Sequence, residues 1–501
     1  LNSDNRILSA VSSSTSCHFH LPSTPLPPPS KMTTAAAVET TEFVQYRRRF
    51  WYALVVIIIN LSNAMTWISF APISYHTNSY YDTKLAAILL NVIFMITSIP
   101  FGFVAVFLID KFGLRGGIYL GGALNLIGNA LRLIADFDFV PQEARFAVAM
   151  TGQTIAAVSQ PFIMYLPTKL TGFWFPTNER NLWNTLTSMS NPVGIAIMYA
   201  TSPLIVNNST PTNFIVLNSI TMGMATLAAI TAVTITRSEP PTPVSGSKAV
   251  DHETPAFWAG IKRACRSRNF LILCLCLGGG VGLFNALYNN LQPALCSKGY
   301  DETFNGIMGA LLIFSGLIGA AVAGVITDMR KAWTEYIMKI SFVVAAFGAA
   351  SLTVAINYEG MEWWIILSIV IFGFAGFALY PIGLETGVEI TFPVAEATST
   401  GLIIMSGQIQ GVVYVFVTAL LNQPASPHEK AIQTCTEMMS ESGVIVNWKY
   451  SFLAWVTFVS ILGLICIICF RPKLRRTALD LGATARSQLK EVEGEDNEAA
   501  F

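Results

Sequence analysis

Asp110-Lys111-Phe112-Gly113-Leu114-Arg115 lies between two long apolar runs, and Asp328-Met329-Arg330-Lys331 lies between two more, 218 residues further on. Two other pairs keep nearly that spacing. Phe175-Pro176-Thr177-Asn178-Glu179 is echoed by Phe392-Pro393-Val394-Ala395-Glu396 at an offset of 217, and Met189-Ser190 by Met405-Ser406 at 216. Each match is weak alone. Three at nearly one offset, each at an equivalent place among the apolar runs, indicate a duplicated chain. A bilayer-spanning helix needs about 20 mostly apolar residues. Twelve stretches meet that need, at roughly 50–73, 84–109, 115–135, 145–170, 181–206, 213–236, 270–292, 304–327, 334–356, 362–385, 397–422 and 450–470. Six precede the central linker and six follow it. An even number of spans separates the copies, so both halves point the same way. The expected fold class is an all-α membrane protein with twelve transmembrane helices in two parallel six-helix repeats.

Composition agrees with that reading. Of the 501 residues, 53% are hydrophobic and 12% are charged, and the mean hydropathy is +0.53. A soluble domain carries about 25% charged residues. Half that charge cannot cover a water-soluble surface of this size, which excludes a soluble enzyme, a nucleic-acid binder and a disordered chain. Thirty basic residues balance thirty acidic ones, so no polyanion partner is implied. Pro100 and Pro192 interrupt apolar runs. Membrane helices tolerate such breaks, because neighbouring helices re-satisfy the freed backbone groups.

The positive-inside rule sets the orientation. With the N-terminus in the cytoplasm, all but six of the 30 basic residues fall on the inner side; the six are Lys84, Arg132, Arg145, Lys298, Lys430 and Lys449. Both termini are then cytoplasmic, in an integral membrane protein expected at the plasma membrane. The expected organisation is a disordered tail over 1–45, a six-helix half over 46–236, a linker over 237–269, a second half over 270–476, and a disordered tail over 477–501. A short basic amphipathic piece at 255–268 in the linker is expected on the membrane surface. The first 45 residues lack the apolar core of a signal peptide, and Met32 suits a translation start. On the outer side, Asn207 and Asn208 head two overlapping glycosylation sequons. Cys296 and Cys435 both fall in outer loops, where they either form a disulfide or remain free thiols.

Ionisable residues inside a span are functional candidates, and here they are nearly absent. Arg132 lies near the outer end of the third span, and Glu385 and Glu389 lie near the inner end of the tenth. No acid sits at mid-depth, which argues for a passive uniporter over proton or sodium coupling. Neutral amides do occur there. Asn60, Asn63 and Trp67 share a face of the first helix, as do Gln153 and Gln160 on the fourth. Asn191, Asn285, Asn289 and Gln408 follow on later spans. Depth counting puts Asn63, Gln160, Asn285 and Gln408 near one level, with Trp67 slightly outward. Each amide is either interhelical glue or a ligand contact. An uncharged, indole-bearing chamber suits a permanent cation, because the indole face attracts it and amides bind a hydroxyl. No Ser/His/Asp set, paired mid-membrane acids or Cys/His metal spacing is visible. The chain therefore reads as a non-enzyme with no cofactor or metal, acting as a monomer on a small-molecule solute.

Two parallel six-helix halves resemble the architecture of the major facilitator superfamily, which holds its solute near the bilayer midplane between halves that rock. The loop at 110–115 resembles that superfamily's signature. The resemblance implies an inner-side lock between the halves involving Asp110, Lys111 and Arg115, with Asp328 and Arg330 in the second copy. Ser62-Asn63-Ala64-Met65-Thr66-Trp67-Ile68-Ser69-Phe70-Ala71-Pro72 narrows the resemblance further. With Gly152-Gln153, Gln160, Leu166-Pro167, Trp174-Phe175, Leu384-Glu385, Val388-Glu389-Ile390-Thr391-Phe392-Pro393 and Ser406-Gly407-Gln408, it is similar to the feline leukemia virus subgroup C receptor-related family of haem and choline transporters. The nearest branch is the "major facilitator superfamily domain-containing protein seven" type. That resemblance implies a cation site at Trp67, Gln160 and Gln408. Asn285 stands where choline-carrying members have a Tyr, with Phe284 and Tyr288 beside it. The implied function is alternating-access transport of choline- or ethanolamine-like cations or of haem. The competing readings are a proton-coupled organic-solute carrier and a non-transporting receptor or scaffold.

Overall fold

The computed structural model describes residues 44–83, 85–207, 209–242, 244, 256–427, 429 and 446–478. All of these belong to one compact unit, Glu42–Phe501. Among the described residues, nine helical runs are long and apolar enough to cross a membrane. One of them, Ala86–Ala135, is broken at Gly113, whose φ of +73° lies in the left-handed region. Only glycine adopts that conformation without strain. A Cβ on Gly117 would stand 3.0 Å from Ile109, so the chain folds back here and this run holds the second and third expected spans. The fourth and fifth expected spans are each divided. Gln142–Met164 continues as Leu166–Trp174, and Arg180–Ser188 continues as Ser190–Ile205. Pro167 and Pro192 follow these two breaks, where a missing N–H does least harm.

The second half repeats the pattern with longer helices: Arg268–Cys296, Glu302–Met329, Thr334–Ala355, Glu362–Thr391, Glu396–Leu420 and Lys449–Cys469. Between the halves, the basic piece of the linker forms the helix Phe257–Cys265. The 1–45 tail, apart from residues 44 and 45, and most of the 477–501 tail lie outside the described residues. At the start of the latter, however, Thr477 is buried and hydrogen-bonded to Glu389, so packed structure reaches slightly past the expected boundary.

Burial is inverted relative to a soluble protein. Trp363, Leu420, Leu204 and Ile468 are largely exposed, while Asn63, Asn125, Asn129 and Arg132 are buried completely. Lipid solvates the former, whereas the latter need partners inside the bundle. Helices close at small residues. A Cβ on Gly128 would lie 2.6 Å from the carbonyl oxygen of Gly152, and one on Gly282 would lie 2.6 Å from the amide of Gly411. The halves meet along two equivalent seams. In one, Gly401 and Met405 of the eleventh span lie against Val106 and Gly102 of the second; in the other, Gly306 and Gly309 of the eighth lie against Tyr199 of the fifth.

Backbone atoms cannot yield to an added methyl. Gly128→Ala is therefore expected to destabilise the protein by about 1–3 kcal/mol through overpacking. Gly223→Ala, where nothing lies within 4 Å, is expected to be neutral or slightly stabilising. Thermal unfolding of the two detergent-purified variants beside the parent checks this.

Candidate functional site

A cavity of about 90 Å³ lies between the halves. That is room for roughly six to nine waters. Trp67, Gln160 and Asn191 line it from the first half, and Asn285, Tyr288 and Gln408 from the second. Among the described residues, no Asp, Glu, Lys, Arg or His lines it, and none form a cluster able to hold a metal ion. Rings supply much of the wall. Phe284 stacks near Phe372, Phe377 and Tyr288 with centroids 4.9, 4.4 and 6.3 Å away.

The first helix is fixed so that it presents Trp67. The indole N–H donates to the carbonyl of Asn91 at 3.2 Å. Gln153 donates to the carbonyls of Leu90, Trp67 and Thr66. The fully buried Arg132 donates to Thr66 O at 2.8 Å and to Ser69 Oγ at 2.7 Å, with its guanidinium 4.5 Å from the Phe70 ring. These bonds hold the helix end where an isolated helix leaves its carbonyls unpaired. Ser98 donates to Gln160 Oε1 at 3.0 Å, which makes Nε2 the free end of that amide.

Four other polar atoms of the cavity wall are buried with no hydrogen-bond partner: Asn191 Nδ2, Asn285 Nδ2, Tyr288 Oη and Gln408 Oε1. An unpaired buried polar group costs about 1–3 kcal/mol. Two donors, one acceptor and one hydroxyl therefore converge on the same space. A solute that both donates and accepts hydrogen bonds, and presents apolar or cationic surface to the rings, supplies the partners that the protein itself does not.

Asn63 does not join them. Its Nδ2 lies within hydrogen-bonding distance of Asn125 Oδ1, Ala156 O and Ser159 Oγ, at 3.1, 3.2 and 2.9 Å. Its depth was legible in the sequence, but its side of the helix faces the third and fourth spans. The aromatic contribution of the tenth helix was not foreseen. Glu362–Thr391 is apolar all round, so periodicity marks no face; Gly376, which admits the Phe284 ring, is the one local sign.

At the end of the bundle where the first helix begins and the last one ends, the two acids of the expected lock do cross between halves. Thr398 donates to Asp110 Oδ2 at 2.6 Å, and Lys169 pairs with Asp110 Oδ1 at 3.3 Å. Asp328 accepts from the backbone amides of Asn181 and Leu182 at 3.3 and 2.7 Å. There the N-terminus of a helix favours a negative charge. The basic residues do not cross. Lys111 lies over Phe107 and Phe112, Arg115 donates to Thr236 O within its own half, and Arg330 lies over Trp333. At the opposite end, Ser74 donates to Gln292 at 3.2 Å, and deeper in, Tyr199 donates to the carbonyl of Tyr288. Asn207 is exposed in a loop at that end, and Asn208 lies outside the described residues. Cys296 is disulfide-bonded; Cys435 lies outside the described residues.

The Major Facilitator Superfamily profile matches residues 52–418. The chain belongs to this superfamily. Its match to the solute carrier family 49 member A3 of Xenopus tropicalis is 34% identical over 444 residues, covering 87% of this chain and 89% of the relative. The human choline/ethanolamine transporter FLVCR2 is 27% identical over 379 residues, covering 74% and 71%. Among solved structures, the E. coli fucose:proton symporter superposes with a TM-score of 0.58 at 13% identity, covering 83% of this chain and 99% of the symporter. That likeness concerns the fold alone. As a facilitator-superfamily protein, the chain is a multi-pass membrane transporter.

Two asparagines separate glue from lining. Asn63→Ala is expected to lower the thermal stability of the purified protein, by about 1 kcal/mol, and to leave the apparent solute affinity unchanged. Asn285→Ala is expected to do the reverse. Paired melting and uptake measurements on both variants test this.

Proposed function

We propose that this transporter carries a small organic cation bearing a hydroxyl or amino group, of the choline and ethanolamine type, by alternating access without ion coupling. The observation that carries the reading is the convergence of four unpartnered polar atoms with an aromatic wall in an uncharged cavity. A choline-like solute fits that combination. Its ammonium head is attracted to the faces of Trp67 and the Phe284 group. Its hydroxyl donates to Gln408 Oε1 and accepts from the amide nitrogens. The relatives named as choline/ethanolamine transporters support the same class. Haem is the weaker reading, since no histidine, the proximal haem ligand of globins and peroxidases, lines the cavity among the described residues.

In this reading the chain crosses the membrane twelve times as a monomer, with both termini cytoplasmic and the protein at the plasma membrane. The polar seal at 110, 328 and their partners then closes the cytoplasmic end. Solute would leave through that end when Asp110 and Asp328 part from the opposite half. Among the described residues, no carboxylate or histidine of the wall is available to carry a proton across with the solute, which favours passive flux.

The test is uptake of labelled choline and ethanolamine by purified protein in liposomes, with and without a pH gradient. Uptake should follow the solute gradient alone. A cation–π contact in a desolvated site is worth about 2 kcal/mol or more. Trp67→Ala should therefore weaken uptake at least about tenfold at low solute, with unchanged folding, whereas Trp67→Phe should retain part of it. Uptake that tracks an imposed pH gradient would favour the proton-coupled alternative. Unaltered uptake by Trp67→Ala would remove Trp67 from the site.

A further inference from the structure

After the last membrane helix the chain does not leave the bundle. Residues 470–478 stay against both halves, with mostly alternating exposure. Arg471, Lys473 and Arg475 face solvent, whereas Arg476 and Thr477 are buried. The Arg476 guanidinium reaches both halves. It lies 3.5 Å from Glu396 and 4.0 Å from Glu385 of the second half, and donates to the carbonyl of Gly172 in the first at 3.2 Å. Arg180 of the first half approaches the same Glu385 at 4.0 Å. Thr477 completes the contact. Its backbone N–H donates to Glu389 Oε2 at 2.9 Å and its hydroxyl to Oε1 at 2.8 Å, so one residue satisfies both oxygens of a buried carboxylate. Residues 471–477 thus form a strap between the halves at the same end as the Asp110 and Asp328 contacts.

We propose that Thr477 is a phosphorylation site whose modification releases this strap and unlocks the termini-bearing end of the cavity. The chemistry follows from the contact. A phosphothreonine has no hydroxyl to donate and carries a charge of about −1.5 to −2. Set against Glu389, with Glu385 nearby, it is repelled from its own seat, and Arg476 leaves with it. The modifying enzyme is of the class that reads upstream cations through an acidic groove. Lys473 and Arg475 are exposed and offered to such a groove even while Thr477 is covered, and Arg471 is exposed but paired with Glu335 at 2.9 Å. The γ-phosphoryl of ATP passes to Thr477 Oγ1. Its bond to the ADP oxygen breaks, the Oγ1–P bond forms, and the hydroxyl proton passes through the kinase's base to water. Hydrolysis by a phosphatase restores the threonine. Because the hydroxyl is buried while the seam is closed, the kinase acts on molecules whose seam is open and then keeps them from resealing.

The proposal rests on the cytoplasmic placement of the termini given above, but its test does not need that placement or any solute. Purified full-length protein in detergent, where both ends are accessible, is treated with an arginine-directed kinase and Mg-ATP, and the sites are mapped by mass spectrometry. Phosphate is expected on Thr477, and faster in Asp328→Asn, whose seam is weakened. In parallel, Val106→Cys places a thiol in the seam against Gly401, in a Cys265→Ser background that removes an exposed thiol. Thr477→Glu should raise its labelling by a water-soluble maleimide at least about fivefold over Thr477→Ser, the lower end of typical coupling between sites. Equal labelling of Thr477→Glu and Thr477→Ser overturns the proposal, as does phosphate that avoids Thr477 even in Asp328→Asn.

Discussion

Hydrocarbon offers no hydrogen-bond partner, so each polar side chain within the bundle has to find one in the protein itself. Most of this structure is an answer to that constraint. Asn125 and Asn129 pair with Ser62 and Thr66 across the first and third helices. Asn218 donates to Asp136 and accepts from Arg132. Asn60 spends its amide on Val56 O and Ile163 O. Single unpaired atoms remain elsewhere, among them Asn63 Oδ1 and Gln153 Oε1, but those at 191, 285, 288 and 408 share one cavity.

The same constraint explains why the cavity holds no formal charge. A carboxylate there would attract a cation strongly, yet it would have to be desolvated in every conformation that closes around an empty site. Rings and amides ask less. They attract a cation and bind a hydroxyl in the loaded carrier, and they are tolerable unloaded. The fixed charges are kept to the ends, where water and helix termini are near: Glu385, Glu389 and Asp328 at one, Lys298 and Glu429 at the other. Burial pushes the Glu429 carboxyl up, but donors from Lys298, Ser426 and Asn447 outweigh it and leave the group below its usual value.

The duplicated plan was legible because apolar length and three recurring motifs are properties of the chain itself. Depth was legible too, since counting along a helix gives the level of a side chain. Azimuth was not. Asn63 and Gln160 sit at similar depth, yet one faces its own half and the other the cavity, and only packing between helices decides which. Apolar runs without a polar face, such as Glu362–Thr391, give little azimuthal signal beyond a lone glycine, so Phe372, Phe377 and Tyr380 were invisible as wall residues. The lock was half legible. The acids at 110 and 328 occupy repeat-equivalent turns, but their partners lie far away in sequence, and the neighbouring bases turned out to stay within their own segments.

The two acidic turns also differ in a way that matters to how such a chain can change over generations. Asp110 is held by side chains, Thr398 and Lys169, each one codon change from loss. Asp328 is held by main-chain amides of Asn181 and Leu182, which every residue but proline supplies. One copy of the duplicated latch is therefore open to drift through its partners, while the other can be lost only at the aspartate itself or by moving the helix it caps. Descendants of this gene should wander more freely at 169 and 398 than the symmetry of the repeat would suggest.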